Sequence, residues 1–410
     1  MSRYRVYIKP FVSPGVYAEE YTDISSDVIS IGSISRSLDN STYDIGIFKT
    51  SGVNIKLRND HGKYSAADTE KSIFSDKRQD SLIQITWDVR STFSKAGFFK
   101  CGDGPLSSEV VIFDGLLSEI SSIASIDDQD ISFRFAGFDS LLSRVEVPFS
   151  SISNGDTFSG VIYTMLNQSP ITDYLTVDQA NIVCAVDEGI DDKSNLENKT
   201  VREALDSGDL LLAASSVLYI QDGVIYVQSR EETVDSQYTF FGQASINGIE
   251  NIIDIKNFRD GINRVFNFVK WQDTALKSTD ATSIAKYGVQ QIELSVDVIS
   301  DASTSKIQNI LDEIKNDFRD PKIEFELETS INNQVIELMM KDKVLVDYPT
   351  VYRSADENVI PRYGLSAYGQ ARYPVGQYSL VINAQTTSFK IMAITINPSK
   401  DTMIFNLREN

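Results

Sequence analysis

Histidine occurs once in the 410 residues, as His61, and cysteine twice, as Cys101 and Cys184. The usual nitrogen and sulfur ligands of a structural zinc site cannot be gathered in one chain from so few. Two thiols far apart in sequence do not build the disulfide framework of a small secreted domain, and they fit a chain made in a reducing cytoplasm. A Ser-His-acid or Cys-His nucleophile would have to recruit His61, which lies in Asn59-Asp60-His61-Gly62, a solvated-turn composition. Phosphate-binding loops are missing too: no Gly-x-Gly-x-x-Gly follows a strand, and no Gly-Lys-Ser/Thr triplet ends a glycine loop. The longest apolar stretch, residues 210–220, is interrupted by Ser215-Ser216, and it falls short of the ~20 residues a spanning helix needs. At the N-terminus the sequence turns polar at Lys9-Pro10 before a secretory core of about 7 to 15 apolar residues can form. These absences predict a chain with no metal site, no cofactor, no catalytic activity and no stable membrane insertion.

What is present is ordinary for a folded protein. Apolar residues are 41% and charged residues 23%, which excludes disorder, collagen and coiled coil as global descriptions. At roughly 150 residues per domain the length predicts two to four domains. The charge balance is less ordinary: 58 acidic against 38 basic residues give -20, a surface that repels nucleic acid and anionic membranes at long range. Sequence-specific DNA reading is therefore a poor expectation.

Period-two alternation dominates the first third. Val53-Asn54-Ile55-Lys56-Leu57-Arg58 and Ile83-Gln84-Ile85-Thr86-Trp87-Asp88-Val89 alternate apolar with polar residues, the pattern of half-buried strands. Val110 to Phe113 reads as a strand, Asp114-Gly115 as a turn or bulge, and residues 116–126 as a further strand before Ile131-Ser132-Phe133-Arg134-Phe135. The intervening Asp127, Asp128 and Asp130 lack the glycine and glutamate of a calcium loop and read as a solvated hairpin turn.

From about residue 150 the period changes. Phe158, Val161, Ile162, Met165 and Leu166 recur at helical spacing behind Asp156-Thr157, which can cap the helix. Thr200-Val201-Arg202-Glu203 has the spacing of a capping box, and Asp222-Gly223 joins two runs of strand formers as a hairpin. Beyond residue 245 strands return at 263–269 and 290–294, and Ile307, Ile310, Leu311, Ile314 and Phe318 form a helical stripe closed by Pro321. Residues 323–328 alternate strictly, residues 335–348 follow as strand, and two last strands, 389–396 and 403–407, flank a turn. The class is mainly β with an α+β insert, and no strict internal repeat is visible.

Two segments carry unusual chemistry. Asp187-Glu188 and Asp191-Asp192 could be imagined as the acid pair of a carbohydrate hydrolase, although among 58 acidic residues such pairs arise by chance in solvated loops. In residues 352–378, Tyr352, Tyr363, Tyr368, Tyr373 and Tyr378 are interleaved with Arg353, Arg362 and Arg372. Neither period fits, so this reads as a loop, and Tyr with Arg is the composition of a partner interface.

In order, these pieces resemble the hub proteins of bacteriophage tails, the family of late control gene D proteins and of the hub half of type VI secretion spikes. The resemblance rests on Phe113-Asp114-Gly115 before a long strand and Gly137-Phe138-Asp139-Ser140-Leu141-Leu142 closing the first sheet unit. It continues through Thr200-Val201-Arg202-Glu203-Ala204-Leu205, Asp222-Gly223 with Ser229-Arg230, Lys286-Tyr287-Gly288 and the hairpin of residues 389–409. It spans nearly the whole chain, and the Tyr-rich loop departs from it. It implies two β-barrel-like tube domains, at 1–148 and 245–410, around an α+β domain at 149–244, with the Tyr-rich loop at about 350–380.

The function so implied is structural. A homotrimer would adapt a tail tube or distal tail protein to a tip spike or fibres, in a virion assembled in the host cytoplasm. DNA would pass its channel without specific binding. Glu324, Glu326 and Glu328 share one face of a strand and are candidates to face that channel. A distal tail ring, a receptor-binding module and a β-rich carbohydrate hydrolase are the alternatives.

Overall fold

The computed structural model describes residues 3–13, 16–40, 44–64, 72–74, 80–88, 109–122, 130–206, 210–231, 233–242, 251–332, 334–349, 381–382 and 388–410. The fold is mainly β with a small helical part. In chain order the first strands are β1 (Tyr4–Lys9), β2 (Phe11–Ser13), β3 (Val16–Tyr17), β4 (Thr22–Asp23), β5 (Val28–Ile31) and β6 (Ile34–Asn40). They are followed by β7 (Ile45–Thr50), β8 (Val53–Arg58), β9 (Leu82–Asp88), β10 (Glu109–Ser122) and β11 (Asp130–Gly137). Helices α1 (Phe158–Leu166), α2 (Val201–Asp206) and α3 (Leu210–Ala213) precede β12 (Ser216–Gln221), β13 (Val224–Ser229), β14 (Val234–Phe241) and β15 (Ile252–Arg259). Next come β16 (Phe268–Trp271), β17 (Lys277–Thr279), α4 (Ala281–Tyr287), β18 (Gln291–Leu294) and α5 (Thr304–Phe318). The chain closes with β19 (Glu324–Ser330), β20 (Asp342–Pro349), β21 (Val381–Ile382), β22 (Ser388–Asn397) and β23 (Thr402–Glu409).

Two compact units result. One comprises Met1–Arg230, Arg264–Asp320 and Thr395–Asp401, the other Glu231–Asn263, Pro321–Ile394 and Thr402–Asn410. In the first unit a seven-stranded antiparallel sheet runs β4-β1-β9-β10-β11-β8-β5. Alternation puts Val53, Ile55 and Leu57 of β8 fully inside and leaves Asn54 and Arg58 in water, as the pleat requires. Asp114-Gly115 is not a turn: β10 runs straight through it, with a register shift against β9 between Val111 and Phe113. Gly115 lies opposite Gly137, and a Cβ on it would come 2.2 Å from the Ala136 carbonyl oxygen, so the glycine serves close strand approach.

The helical part of this unit follows its sequence signals. Thr157 caps α1 by accepting the Gly160 N–H, and Phe158, Val161, Ile162, Met165 and Leu166 are all buried. Parallel pairing joins β12 to β7, and β12 turns into β13 at Asp222 and Gly223, with φ of 50° and 73°, the left-handed pair that a tight hairpin needs. Helix α5 buries Ile307, Ile310, Leu311, Ile314 and Phe318 in the same core as α1 to α3. The strand expected over 263–269 starts only at Phe268, behind a short 3-10 turn at Ile262–Arg264. Asn267 replaces the ladder there: its buried side chain donates to Ser283 Oγ and the Gly288 carbonyl and accepts the Gln290 N–H. Helix α4, which ends at Gly288 with φ 76°, has too short an apolar stripe to be read from periodicity.

In the second unit β19 lies between β15 and β23, antiparallel to both, while β20 pairs β14 in parallel and β22 antiparallel. Its core is aromatic: Phe325 meets Phe389 edge-on at 5.0 Å and Phe240 meets Phe405 at 5.4 Å. The strand expected over 335–348 is shorter, because residues 334–337 form a turn and pairing begins at Asp342. Among the described residues no helix is long and apolar enough to cross a membrane.

Candidate functional site

Two of the segments that carry the hub resemblance meet in space. Asp139, 6% exposed, accepts the Thr50 N–H at 3.2 Å and lies 3.4 Å from Arg202 Nη1. Burial raises its carboxyl above the ordinary aspartate range, and Thr50 and Arg202 only partly offset that. Gly137 is obligatory beside it, since a Cβ would come 2.6 Å from both Asp139 Oδ1 and Thr50 Cβ. On α2, Thr200 N donates to Glu203 Oε2 at 2.8 Å and Glu203 N to Thr200 Oγ1 at 3.2 Å, a complete capping box. The chemistry here is mechanical, binding β7, the turn after β11 and α2 together.

The acid pairs of the 187–192 loop are each committed to a local partner. Asp187 accepts the Ser159 N–H and hydroxyl, and Glu188 accepts from Asn309 Nδ2. Asp191 pairs with Lys306 at 2.6 Å and accepts the Ser300 N–H at 2.9 Å. Burial pulls its carboxyl up, but Lys306 and the hydrogen bonds from Ser303 and Ser300 outweigh it and hold it below the ordinary range. Asp192 caps a 3-10 turn through the Ser194 N–H. A cavity of about 750 Å³ opens beside them, lined also by Asp273, Asp297 and Asp301, with Trp271 Nε1 donating to Asp301 at 2.9 Å. A general acid needs a carboxyl that stays protonated near neutrality, and Asp191 is shifted the other way. Among the described residues no cluster of His, Cys, Asp or Glu could hold a metal ion.

Glu324, Glu326 and Glu328 do share one face of β19, half-buried, while Phe325 and Leu327 point into the core. The row is not bare. Glu324 stands between Arg259 and Arg408, Glu326 between Lys256 and Asn406, and Glu328 between Asp254 and Ile404 in cross-strand register. Lys256 Nζ reaches Glu328 at 3.0 Å, and Arg408 Nε reaches Glu324 at 3.8 Å.

The tyrosines and arginines of the loop, Tyr352, Arg353, Arg362, Tyr363, Tyr368, Arg372, Tyr373 and Tyr378, lie outside the described residues, as does Cys101. His61 sits in the 3-10 turn Asp60–Gly62. Burial pushes the Cys184 thiol up to about 12, so it is inert as a nucleophile.

Sequence reasoning missed two Arg–Asp pairs in the first unit, one buried and one half-buried. Arg230 lies 3.6 Å from Asp317, both essentially without exposure, and Arg264 lies 2.8 Å from Asp44. Both guanidinium groups stand over the Phe318 ring, at 5.3 and 5.6 Å. The chain crosses between units directly after Arg230, before Arg264 and after Asp320. The one available signal was Asp317 beside the helical stripe of α5.

The fold as a whole is that of phage tail proteins. A tail protein from Neisseria meningitidis MC58 superposes with a TM-score of 0.53 at 11% identity, covering 99% of this chain and 95% of its own. The 43 kDa tail protein of prophage MuSo2 from Shewanella oneidensis gives 0.52 at 9% identity, covering 99% and 96%. A prophage tail protein from Listeria monocytogenes EGD-e gives 0.51 at 11% identity, covering 99% and 94%. No protein-family model matches the chain, and no curated protein matches it in sequence.

Proposed function

We propose that this chain is a structural component of a phage tail, a hub ring at the tip that adapts the tail tube to the central tip and surrounds part of the DNA path. The observation that carries this is the end-to-end fold likeness, 99% of the chain, to three phage tail proteins. Net charge supports the DNA path: phosphates spaced ~1.7 Å apart adhere to basic channels by counterion release, and a chain of charge -20 lets them slide. The protein is a trimer that contacts a tail tube or distal tail protein above and spike or fibre proteins below. It is carried in the virion after assembly in the host cytoplasm. It performs no catalysis, because its suspected acids act as caps and ion-pair partners.

Negative-stain microscopy and mass photometry of the purified chain test this directly. Threefold rings are expected; sixfold rings would reassign it to a distal tail position, and a strict monomer even with neighbouring tail proteins would end the hub reading. Polysaccharide or peptidoglycan cleavage that disappears in Asp191→Asn or Asp192→Asn would overturn the non-catalytic part.

A further inference from the structure

Of nine large apolar side chains exposed among the described residues, six fall in two short strips. Val12 (52%), Val16 (51%) and Tyr21 (42%) belong to the hairpin formed by β2 and β3 and to the segment entering β4. Ile253 (54%), Phe258 (44%) and Ile262 (47%) lie on and just after β15. The first strip is in one compact unit and the second in the other. Isolated exposed apolar residues need no explanation, but a row of them along a sheet edge does.

The second strip is also a sheet edge, and the first lies beside one. Among the described residues β15 is paired on one side only, by β19, although it is eight residues long, and β4 is the outermost strand of the seven-stranded sheet. Long apolar edges recruit further strands unless charge or a bulge blunts them. Register shifts at 252/254 and 256/259 and the positive φ of Asn257 bend β15, yet Phe258, stacked on Phe325 at 6.4 Å, keeps 44% of its surface exposed.

Charge distinguishes the two. Glu19 and Glu20 are exposed beside Tyr21, and Asp23 follows them. On the β15 edge Lys256 is already held by Glu328 and Asp254, leaving the exposed Arg259 with no ion pair among the described residues. One edge thus offers apolar contact with surplus carboxylates, and the other offers apolar contact with an uncommitted guanidinium.

We infer that these strips are the two halves of one heterologous contact, the β15 edge of one copy receiving Val12, Val16 and residues 19–23 of the next. The occupant is a second copy of this chain because each copy carries one half of each kind. That is the requirement for a head-to-tail ring, whereas a twofold dimer needs one self-complementary patch. Arg259 selects the carboxylates of Glu19 and Glu20, and Phe258 packs against Val16 and Tyr21. The inference rests on the ring reading and names the surfaces that close it.

Mass photometry of the full chain decides it. E19K/E20K changes only exposed side chains and should keep the wild-type melting temperature, whereas Arg259→Glu sets a carboxylate opposite Glu324 and is run beside Arg259→Gln, which does not, with both melting temperatures recorded. E19K/E20K and Arg259→Glu should each raise the concentration needed for assembly at least tenfold. The combined variant, with charges exchanged on both edges, should return assembly to within about threefold of wild type. Rings unaffected by either single set would overturn the edge assignment and leave the ring reading intact. Rings that persist while tails fail to incorporate the variants would give the strips to a different tail protein and also overturn it. A wild-type chain that stays monomeric at every concentration would remove both this contact and the ring.

Discussion

Arg202 of α2 lies 3.4 Å from Asp139, and Asp139 in turn holds the Thr50 N–H of β7. Two sequence segments 63 positions apart, each readable as a local signal, are one structural joint. Its electrostatics are lopsided, because burial raises the Asp139 carboxyl despite both partners. A carboxyl raised by folding binds its proton more tightly in the native state. Stability is then fully present below the unfolded aspartate value and falls as pH rises through the folded one.

The cost of Arg202→Met should therefore be smaller at about pH 3, below the unfolded aspartate value, than at about pH 7, because the carboxylate left without its cation is a larger fraction of the native state as pH rises. Subtracting wild-type urea denaturation from that of the variant at each pH removes the opposite contribution of carboxyls lowered by folding, such as Asp191 and Asp312. A destabilisation that is equal at the two pH values would show that the guanidinium acts by packing alone.

Much of this architecture is legible because its signals are periodic. Strand β8, helix α5 and the capping box at Thr200 are local patterns that burial simply confirms. The two Asp-Gly pairs show where legibility stops. Asp222-Gly223 is a turn because both residues take positive φ, whereas Asp114-Gly115 continues a strand whose neighbour demands a missing side chain. Composition is identical in the two cases and only the tertiary partner differs. The β15 edge was hidden for a related reason: Ile252 and Ile253 are adjacent, one buried and one exposed, and no periodicity separates a core residue from one awaiting a partner.

The Arg230 and Asp317 pair makes a sharper energetic statement. Both side chains are buried, and Arg230 Nη2 also donates to the Glu313 carbonyl at 2.7 Å. Removing one charge strands the other in a low dielectric, so Asp317→Ala should cost about 3 to 5 kcal/mol. The double variant R230M/D317L removes both charges and should recover most of that loss. Thermal melting of the three chains gives the comparison, and equal losses in the single and double variants would refute the account.

Tyr363, Tyr368 and Tyr373 supply large contact area with polar tips, the side-chain chemistry of a subunit or partner contact. Changing all three to Ser should leave the melting temperature of the purified chain within a few degrees of wild type. Incorporation into tails should be blocked. Normal virion yield from the triple variant would remove the interface assignment.

The glutamate row of β19 allows the channel to be tested without wrecking the strand. With Arg259, Lys256 and Arg408 already flanking the row, three lysines would crowd six cations onto neighbouring strands and confound folding with function. Glu324→Gln, Glu326→Gln and Glu328→Gln together preserve shape and shift the face by three charges. If the face lines the DNA path, the exposed Lys256, freed from Glu328, then meets phosphate directly, and ejection from assembled particles should slow in a manner relieved by raising salt from 50 to about 200 mM. If the face is external, ejection is unchanged at both ionic strengths. Glu324 protects the protein in either case by facing the buried Arg408, so the triple variant should melt lower than one carrying only E326Q and E328Q. Particles that assemble normally and eject at the wild-type rate at low salt would place these three carboxylates on an outer face.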